Sequence, residues 1–301
     1  MNSAPEIVVT GAGGFVGGYL ARWFAEHGAA VTATLRRSRP LSALPAGVNV
    51  ITGDVRQPGL LPERFDALIH CAAGTPSSCP DPDELRAINV EAARVLFDRS
   101  RDAGARTVVF LSSMSVYGQI SAPVVTESLT PVNPDSYGRS KTDGEVLLQD
   151  AVAGGVASGL AIRLPGTVGR GSHHNFLSDT LGRARRGETI VARHPDALFN
   201  NIVFVGDLAR FLAAWIGAPR HGYAVTNLAA SEPMLFRDLY SHLFACLGAP
   251  ERIQYETSGK PPFLISIDRA RALGYHAPTV RESIASFVGD CIAGDVVHAA
   301  P

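Results

Sequence analysis

The chain carries no excess charge of either sign: 27 Lys and Arg stand against 28 Asp and Glu, a formal net charge of −1 over 301 residues. Nucleic-acid binders show a basic excess, because phosphate neutralisation dominates that affinity, so no nucleic-acid partner is expected. Cysteine is scarce. Cys71, Cys79, Cys246 and Cys291 follow no metal-ligand spacing, and a chain of this length needs no disulfides to hold its core; a reducing, cytoplasmic setting without a bound metal is the expectation. No run approaches the ~18 apolar residues that span a bilayer, and the opening Met-Asn-Ser-Ala-Pro-Glu lacks the basic stretch of a signal peptide, so no membrane partner is expected either. Repeats and low-complexity tracts are also missing. Glycine, in contrast, is plentiful, with 30 residues against an average of ~7%, which marks many backbone positions for turns or close ligand approach. With 46% hydrophobic and 18% charged residues, the chain belongs to the folded class, with room for one large domain and a smaller companion.

Short β-branched runs alternate with helical patterns through the first half, the signature of βαβ units and a parallel sheet. The spacing predicts strands at 7–10, 30–35, 48–51, 67–70, 107–111 and 160–163, and helices at 15–27, 83–102 and 137–152, the first two closing at Gly28 and Gly104. Right-handed crossovers then leave a Rossmann-type, doubly wound α/β sheet. After Pro165 the alternation breaks. A Gly- and His-rich loop at 169–174, a helix at 176–186 and a strand at 187–192 precede returns to sheet character at 201–205 and 223–227, with further helices near 234–247 and 280–288. The expected organisation is a dinucleotide-binding domain over 1–166, completed by about 200–230, and a smaller C-terminal substrate-binding lobe from 167–199 and 231–301.

The first predicted strand runs into Thr10-Gly11-Ala12-Gly13-Gly14-Phe15-Val16-Gly17. Glycines at 11, 14 and 17 on a strand-to-helix turn let the backbone approach a pyrophosphate, which the N–H groups of the helix N-terminus then meet; a tight turn needing small residues is the alternative. About 20 residues on, where NAD binders place an acid on the ribose, the chain has Arg36-Arg37. Guanidinium groups there favour a 2′-phosphate and hence NADP, with NAD still possible, unless both are simply solvated. Asp54 and Val55, ending the third strand, are placed to hold adenine.

Tyr137 and Lys141 are four residues apart on a predicted helix and share a face. An adjacent ammonium favours the phenolate and would make Tyr137 a proton donor and acceptor near neutral pH; an isolated pair of this kind is more often surface decoration. Here Ser112-Ser113-Met114-Ser115-Val116-Tyr117-Gly118 ends another strand at the same carboxyl edge, where open α/β sheets bind ligands. His173 and His174 suit a loop or a substrate contact better than a metal, and Asp81 and Asp83 suit helix capping.

Taken together, these motifs resemble the extended short-chain dehydrogenase/reductase family, also called the NAD-dependent epimerase/dehydratase family, over nearly the whole chain. The resemblance rests on Thr10 to Gly17, His70-Cys71-Ala72-Ala73, Asn89-Val90, Ser-Ser-x-x-Val-Tyr-Gly at 112–118, Tyr137-x-x-x-Lys141, Pro165-Gly166, Val203 to Ala209 and Leu273-Gly274-Tyr275. It implies that Ser113 orients a carbonyl, Tyr137 transfers a proton and Lys141 holds the nicotinamide ribose, with Ala72, Ala73, Pro165 and Gly166 beside the cofactor. Asn200 falls where sugar-nucleotide members carry an Arg that grips the diphosphate, and Phe204 replaces a His; Arg170, Arg193 and Arg269 are other candidates for the diphosphate, and Ser115, Asn200 and Arg170 for the substrate site. The implied activity is an NADP-dependent reductase of a keto sugar, nucleotide-linked. A nucleotide-sugar epimerase, a reductase of non-sugar carbonyls and a non-catalytic NADP sensor are the alternatives, and a homodimer formed through the helices at 83–102 and 137–152 is the implied assembly.

Overall fold

A computed structural model of the chain describes residues 4–36, 44–57, 59–173, 175–256 and 262–299. Seven strands form the main sheet: β1 (Glu6–Thr10), β2 (Ala30–Leu35), β3 (Asn49–Thr52), β4 (Ala67–His70), β5 (Thr107–Ser113), β6 (Ser158–Leu164) and β7 (Gly222–Asn227), in the order β7-β6-β5-β4-β1-β2-β3. The ladders joining β1 to β5 are parallel, with Ile7 opposite both Val31 and Ala67. β1 and β4 are Ile-, Val- and Leu-rich and buried along nearly their whole length, as strands covered on both faces must be. Successive strands run outward from β1 to β3 and then return to its other side at β4, so the direction of winding reverses between β1 and β4. Loops leaving those two carboxyl ends therefore diverge and open a crevice.

Three helices belong with this sheet: α1 (Phe15–Glu26), α2 (Pro82–Asp102) and α3 (Ser136–Ala153). Asp81 caps α2 by accepting from the N–H groups of Asp83 and Glu84, and Asp135 caps α3 through the N–H of Gly138. Gly28 and Gly104 follow α1 and α2 with φ of +88° and +72°, the left-handed stops expected of helix-ending glycines. Val8, Leu68, Leu96, Phe97, Val108, Phe110 and Leu148 form a continuous core, each such side chain contributing about 1.5–3 kcal/mol on burial.

By internal contacts the chain divides into two units. One takes the residues up to Gln119, Leu129–Arg163 and Ala209–Thr226, and the other takes Ile120–Ser128, Leu164–Leu208 and the residues from Asn227 onward. The second unit holds α4 (Phe176–Arg185), the start of α5 (Val205–Gly217), α6 (Phe236–Leu247), α7 (Asp268–Ala272) and α8 (Val280–Ala299), with two-stranded ladders such as 166–168 against 202–204. Its boundaries differ from the sequence pattern in places. The strand expected at 201–205 stops at Phe204 and passes directly into α5. Residues 234–235 pair with Leu198–Phe199 instead of opening α6, and the strand expected from Gly187 begins at Ile190, because Gly187 at φ +68° is still ending α4. Among the described residues no helix is long and apolar enough to cross a membrane, and no group of three or more His, Cys, Asp or Glu could hold a metal.

Candidate active site

The glycine turn is built so tightly that side chains are excluded. Gly11 has φ +71°, and a Cβ there would lie 2.7 Å from the Ala72 backbone; a Cβ at Gly17 would lie 2.4 Å from the Gly11 oxygen. Gly14 caps α1 with extended backbone and no side-chain hydrogen bond, and the first turn of α1 holds no acid. The leading N–H groups of the helix are thus left for a ligand, and anions suit them. Phe15 and Val16 sit half-buried in this turn. A cavity of about 620 Å³ opens beside it, lined by Gly11, Gly13 and Gly14, by Arg36, by Gly53 to Arg56 and by the Cys71–Thr75 loop after β4, with Ala72 and Ala73 in it. Thr34, also on its wall, keeps a buried hydroxyl without a partner. Open helix N-terminus, glycine cradle and crevice at the winding reversal fit a dinucleotide. Gly17→Ala is expected to weaken binding of NADH or NADPH about tenfold or more, since overpacking here costs roughly 1–3 kcal/mol; titration of nicotinamide fluorescence measures it.

Asp54, expected to hold adenine and lining this cavity, does not present a free carboxylate. Arg56 Nε reaches its two oxygens at 3.0 and 3.1 Å, Nη2 reaches Oδ2 at 2.5 Å and the Arg56 N–H reaches Oδ1 at 3.0 Å. Those bonds hold the carboxyl down to about 2. Arg56 is a cavity residue that the sequence reading missed, although it stands in the same Gly-Asp-Val-Arg run. Arg37 lies outside the described residues.

Ser113, Tyr137 and Lys141 come together at the carboxyl end of β5. Ser113 caps a short 3-10 turn, Met114–Tyr117, accepting from the Ser115 N–H and donating to Ser115 Oγ, both at 3.1 Å. Gly138, beside Tyr137 on α3, lets the helix approach this turn so closely that a Cβ would meet the Ser115 oxygen at 2.2 Å. Lys141 is 3% exposed; its Nζ donates to the Leu111 carbonyl at 2.8 Å and lies 5.6 Å from the centre of the Tyr137 ring. Burial acts against the ionisation that the Tyr-Lys spacing leads one to expect. Burial pushes the Tyr137 phenol up to about 12, Asp135 adding to the rise and Ser113's hydrogen bond opposing it. Burial likewise brings Lys141 down to about 8, against the pull of Cys71 and Glu145. In this state Lys141 Nζ donates to Leu111, and burial favours the neutral phenol of Tyr137.

Further residues brace this centre, among them Asn89 and His70 of the motifs above and Glu145 and Arg163, which the sequence did not single out. Asn89 Oδ1 accepts from the Gly74 N–H at 2.7 Å while its Nδ2 donates to Gly74 O and, at 3.0 Å, to Ser140 Oγ, which itself donates to the Tyr137 carbonyl. Glu145, one turn beyond Lys141, accepts from Ser112 Oγ at 2.6 Å and from Arg163 at 2.9 and 2.7 Å, and Arg163 Nη1 donates to Tyr117 at 2.8 Å. Helical spacing at 137, 141 and 145 was the available signal for Glu145. His70, fully buried with its Nδ1 2.8 Å from Thr10 Oγ1, is held down to about 3 by burial, with Lys141 adding to the effect. The unfolded chain therefore binds a proton that the folded chain refuses as pH falls from about 6.5 towards 3. Stability is expected to drop by up to about 1.4 kcal/mol per pH unit across that window, and urea titrations of His70→Asn should show a shallower acid slope.

The remaining candidates lie in the second unit. Gly166 pairs with Ile202 in its short ladder, with Pro165 just before it. The Arg170 N–H donates to Asp290 on α8 at 2.7 Å, and His173 Nδ1 bonds the Gly171 carbonyl; His174 lies outside the described residues. Asn200, expected at the substrate site, is engaged with the protein's own backbone. It is 4% exposed, its Nδ2 donates to the carbonyls of Ala230 and Ile265, and its Oδ1 accepts from the Ile265 N–H, so the amide is committed to joining two chain segments.

Residues 7–229 match the family described as NAD dependent epimerase/dehydratase. Among curated proteins the chain is 34% identical over 177 residues to D-erythronate dehydrogenase of Cupriavidus necator, covering 53% of this chain and 54% of that one. It is 26% identical over 291 residues to dTDP-4-dehydro-6-deoxy-D-allose reductase of a Streptomyces species, covering 87% and 88%. The match thus spans about half the length of the first of these relatives and most of the second. The solved structure of MoeE5 in complex with UDP-glucose and NAD superposes with a TM-score of 0.76 at 25% identity, covering 96% of this chain and 99% of that one.

Proposed function

Because the chain belongs to the NAD-dependent epimerase/dehydratase family, we propose that it is an NADP-dependent reductase of a keto sugar, with Ser113, Tyr137 and Lys141 as its catalytic residues. A bound nicotinamide supplies or accepts the hydride. Tyr137 Oη gives a proton to the substrate oxygen, and Ser113 Oγ hydrogen-bonds the same oxygen as charge develops on it, the kind of fixed donor that contributes most to such reactions. Lys141, held against Leu111 in the free protein, carries the donor ammonium for the nicotinamide ribose. The observations that support this reading are the meeting of Ser113, Tyr137 and Lys141 at the carboxyl end of β5 and a relative, 26% identical over most of this chain, described as dTDP-4-dehydro-6-deoxy-D-allose reductase. Arg36 on the cavity wall, with no acid at that strand end, supports NADP.

A second reading, favoured by Asn200, is that the substrate is a sugar acid or other small polyol carrying no diphosphate. The resemblance places a diphosphate-gripping Arg at a position where this chain has a buried, fully engaged amide, and a relative at 34% identity is described as D-erythronate dehydrogenase. Nicotinamide absorbance followed with a panel of dTDP- and UDP-linked keto sugars, free keto sugars, aldonates and hydrophobic ketones tests both. The main reading expects NADPH consumption with nucleotide-linked ketones. Turnover confined to aldonates selects the second, and tightly bound cofactor with no net change while one sugar is converted to its epimer overturns the reductase.

A further inference from the structure

We propose that Tyr117 is a positioning residue for Ser113: through the Arg163–Glu145 pair it ties the turn that carries Ser113 to α3, so that Ser113 Oγ and Tyr137 Oη address one substrate oxygen. The proposal rests on the reading of Ser113 and Tyr137 as catalytic residues and concerns what holds them in register. Side-chain bonds of Ser113 itself reach only Ser115, two residues on, and the Tyr137 hydroxyl it works with. Its neighbours reach further. Before it, buried Ser112 donates to Glu145 Oε1 at 2.6 Å; after it, the hydroxyl of Tyr117, a residue 1% exposed, accepts from Arg163 Nη1 at 2.8 Å. Arg163 Nε and Nη2 grip the two oxygens of Glu145 at 2.9 and 2.7 Å, and a planar guanidinium held by two such bonds aims its third nitrogen in one direction. Its carbon lies 4.9 Å from the centre of the Tyr117 ring. Glu145 stands on α3 one turn beyond Lys141 and two beyond Tyr137. One carboxylate therefore references both ends of the serine segment to the helix that carries the proton donor. The Tyr117 carbonyl accepts from the Val132 N–H at 2.9 Å, which holds the backbone leaving the turn; the hydroxyl is what reaches the pair.

Action through Ser113 has a signature that loss of stability lacks. Single-turnover hydride transfer from NADPH to the ketone that the wild-type chain reduces is compared in wild type, Tyr117→Phe, Ser113→Ala and the Tyr117→Phe/Ser113→Ala pair, together with KM for the ketone and the dissociation constant of NADPH. Tyr117→Phe removes one oxygen and is expected to slow the hydride step about tenfold, since ~1 Å of misplacement costs up to about 10²-fold, with both binding constants within about threefold of wild type. In the Ser113→Ala background the same change should slow it no further, because nothing is left to position. A full tenfold fall there overturns the proposal, as does a Tyr117→Phe chain as fast as wild type. A second measurement needs no substrate. In free Tyr117→Phe protein, amide exchange followed by NMR should quicken at the Ser115 and Gly118 N–H groups, which bond Ser113 Oγ and the Ser115 carbonyl; unchanged exchange at both sinks the idea as well. A chain that reduces none of the ketones, or Ser113→Ala as fast as wild type, refutes the reading of the site separately, and exchange at 115 and 118 then decides whether Tyr117 holds the turn.

Discussion

Tyr137→Phe is expected to lower turnover by about 10²–10⁴-fold, the usual contribution of a positioned proton donor, while the dissociation constant for the nicotinamide cofactor stays within about threefold of wild type. The substitution deletes one oxygen and leaves the ring in place, so the packing of α3 against the 3-10 turn at Met114–Tyr117 survives. Stopped-flow measurement of the hydride step together with cofactor titration separates the two effects. Near-normal turnover in this variant would remove Tyr137 from the reaction and with it the whole assignment of the centre.

Breaking the Glu145–Arg163 pair is expected to have the largest effect on stability. The two side chains are 6% and 13% exposed, and each anchors a further hydroxyl, Ser112 for the acid and Tyr117 for the base. Arg163→Met leaves Glu145 as an uncompensated charge in the interior, at a cost of about 3–5 kcal/mol. Replacing both partners by apolar residues of similar volume should recover much of that loss, because a pair already desolvated contributes little net stability. Denaturant midpoints of the single and double variants give the comparison; a single variant as stable as wild type would show that water reaches the pair. The same network ties down residues on either side of Ser113, so the double variant should fold yet turn over more slowly.

The sheet was legible because β1, β2, β4 and β5 are short, largely buried apolar runs set apart by helix-length stretches. The glycine turn was legible because Gly11 and Gly17 sit where an added Cβ would collide with backbone atoms. What sequence spacing could not show was direction. It placed Lys141 on the Tyr137 face but not that Nζ turns to Leu111, nor how far the phenol is buried. Arg56 and Glu145 escaped because their importance lies in partners at Asp54, Arg163 and Ser112, pairings made by the fold. In the second unit, two- and three-residue ladders carry too few residues to show alternation, and the boundaries there moved accordingly.

The engagement of Asn200 bears on how this chain could change its diet. An arginine at that position would have to enter a space 4% open to solvent, displace the amide from Ala230 and from both backbone groups of Ile265, and leave those groups unpaired beside a buried cation. A single codon change at 200 therefore yields a damaged scaffold before it yields a new specificity. Any lineage acquiring a diphosphate grip here must first rebuild the segment around Ile265, and that route is closed to stepwise drift unless stability is gained elsewhere beforehand.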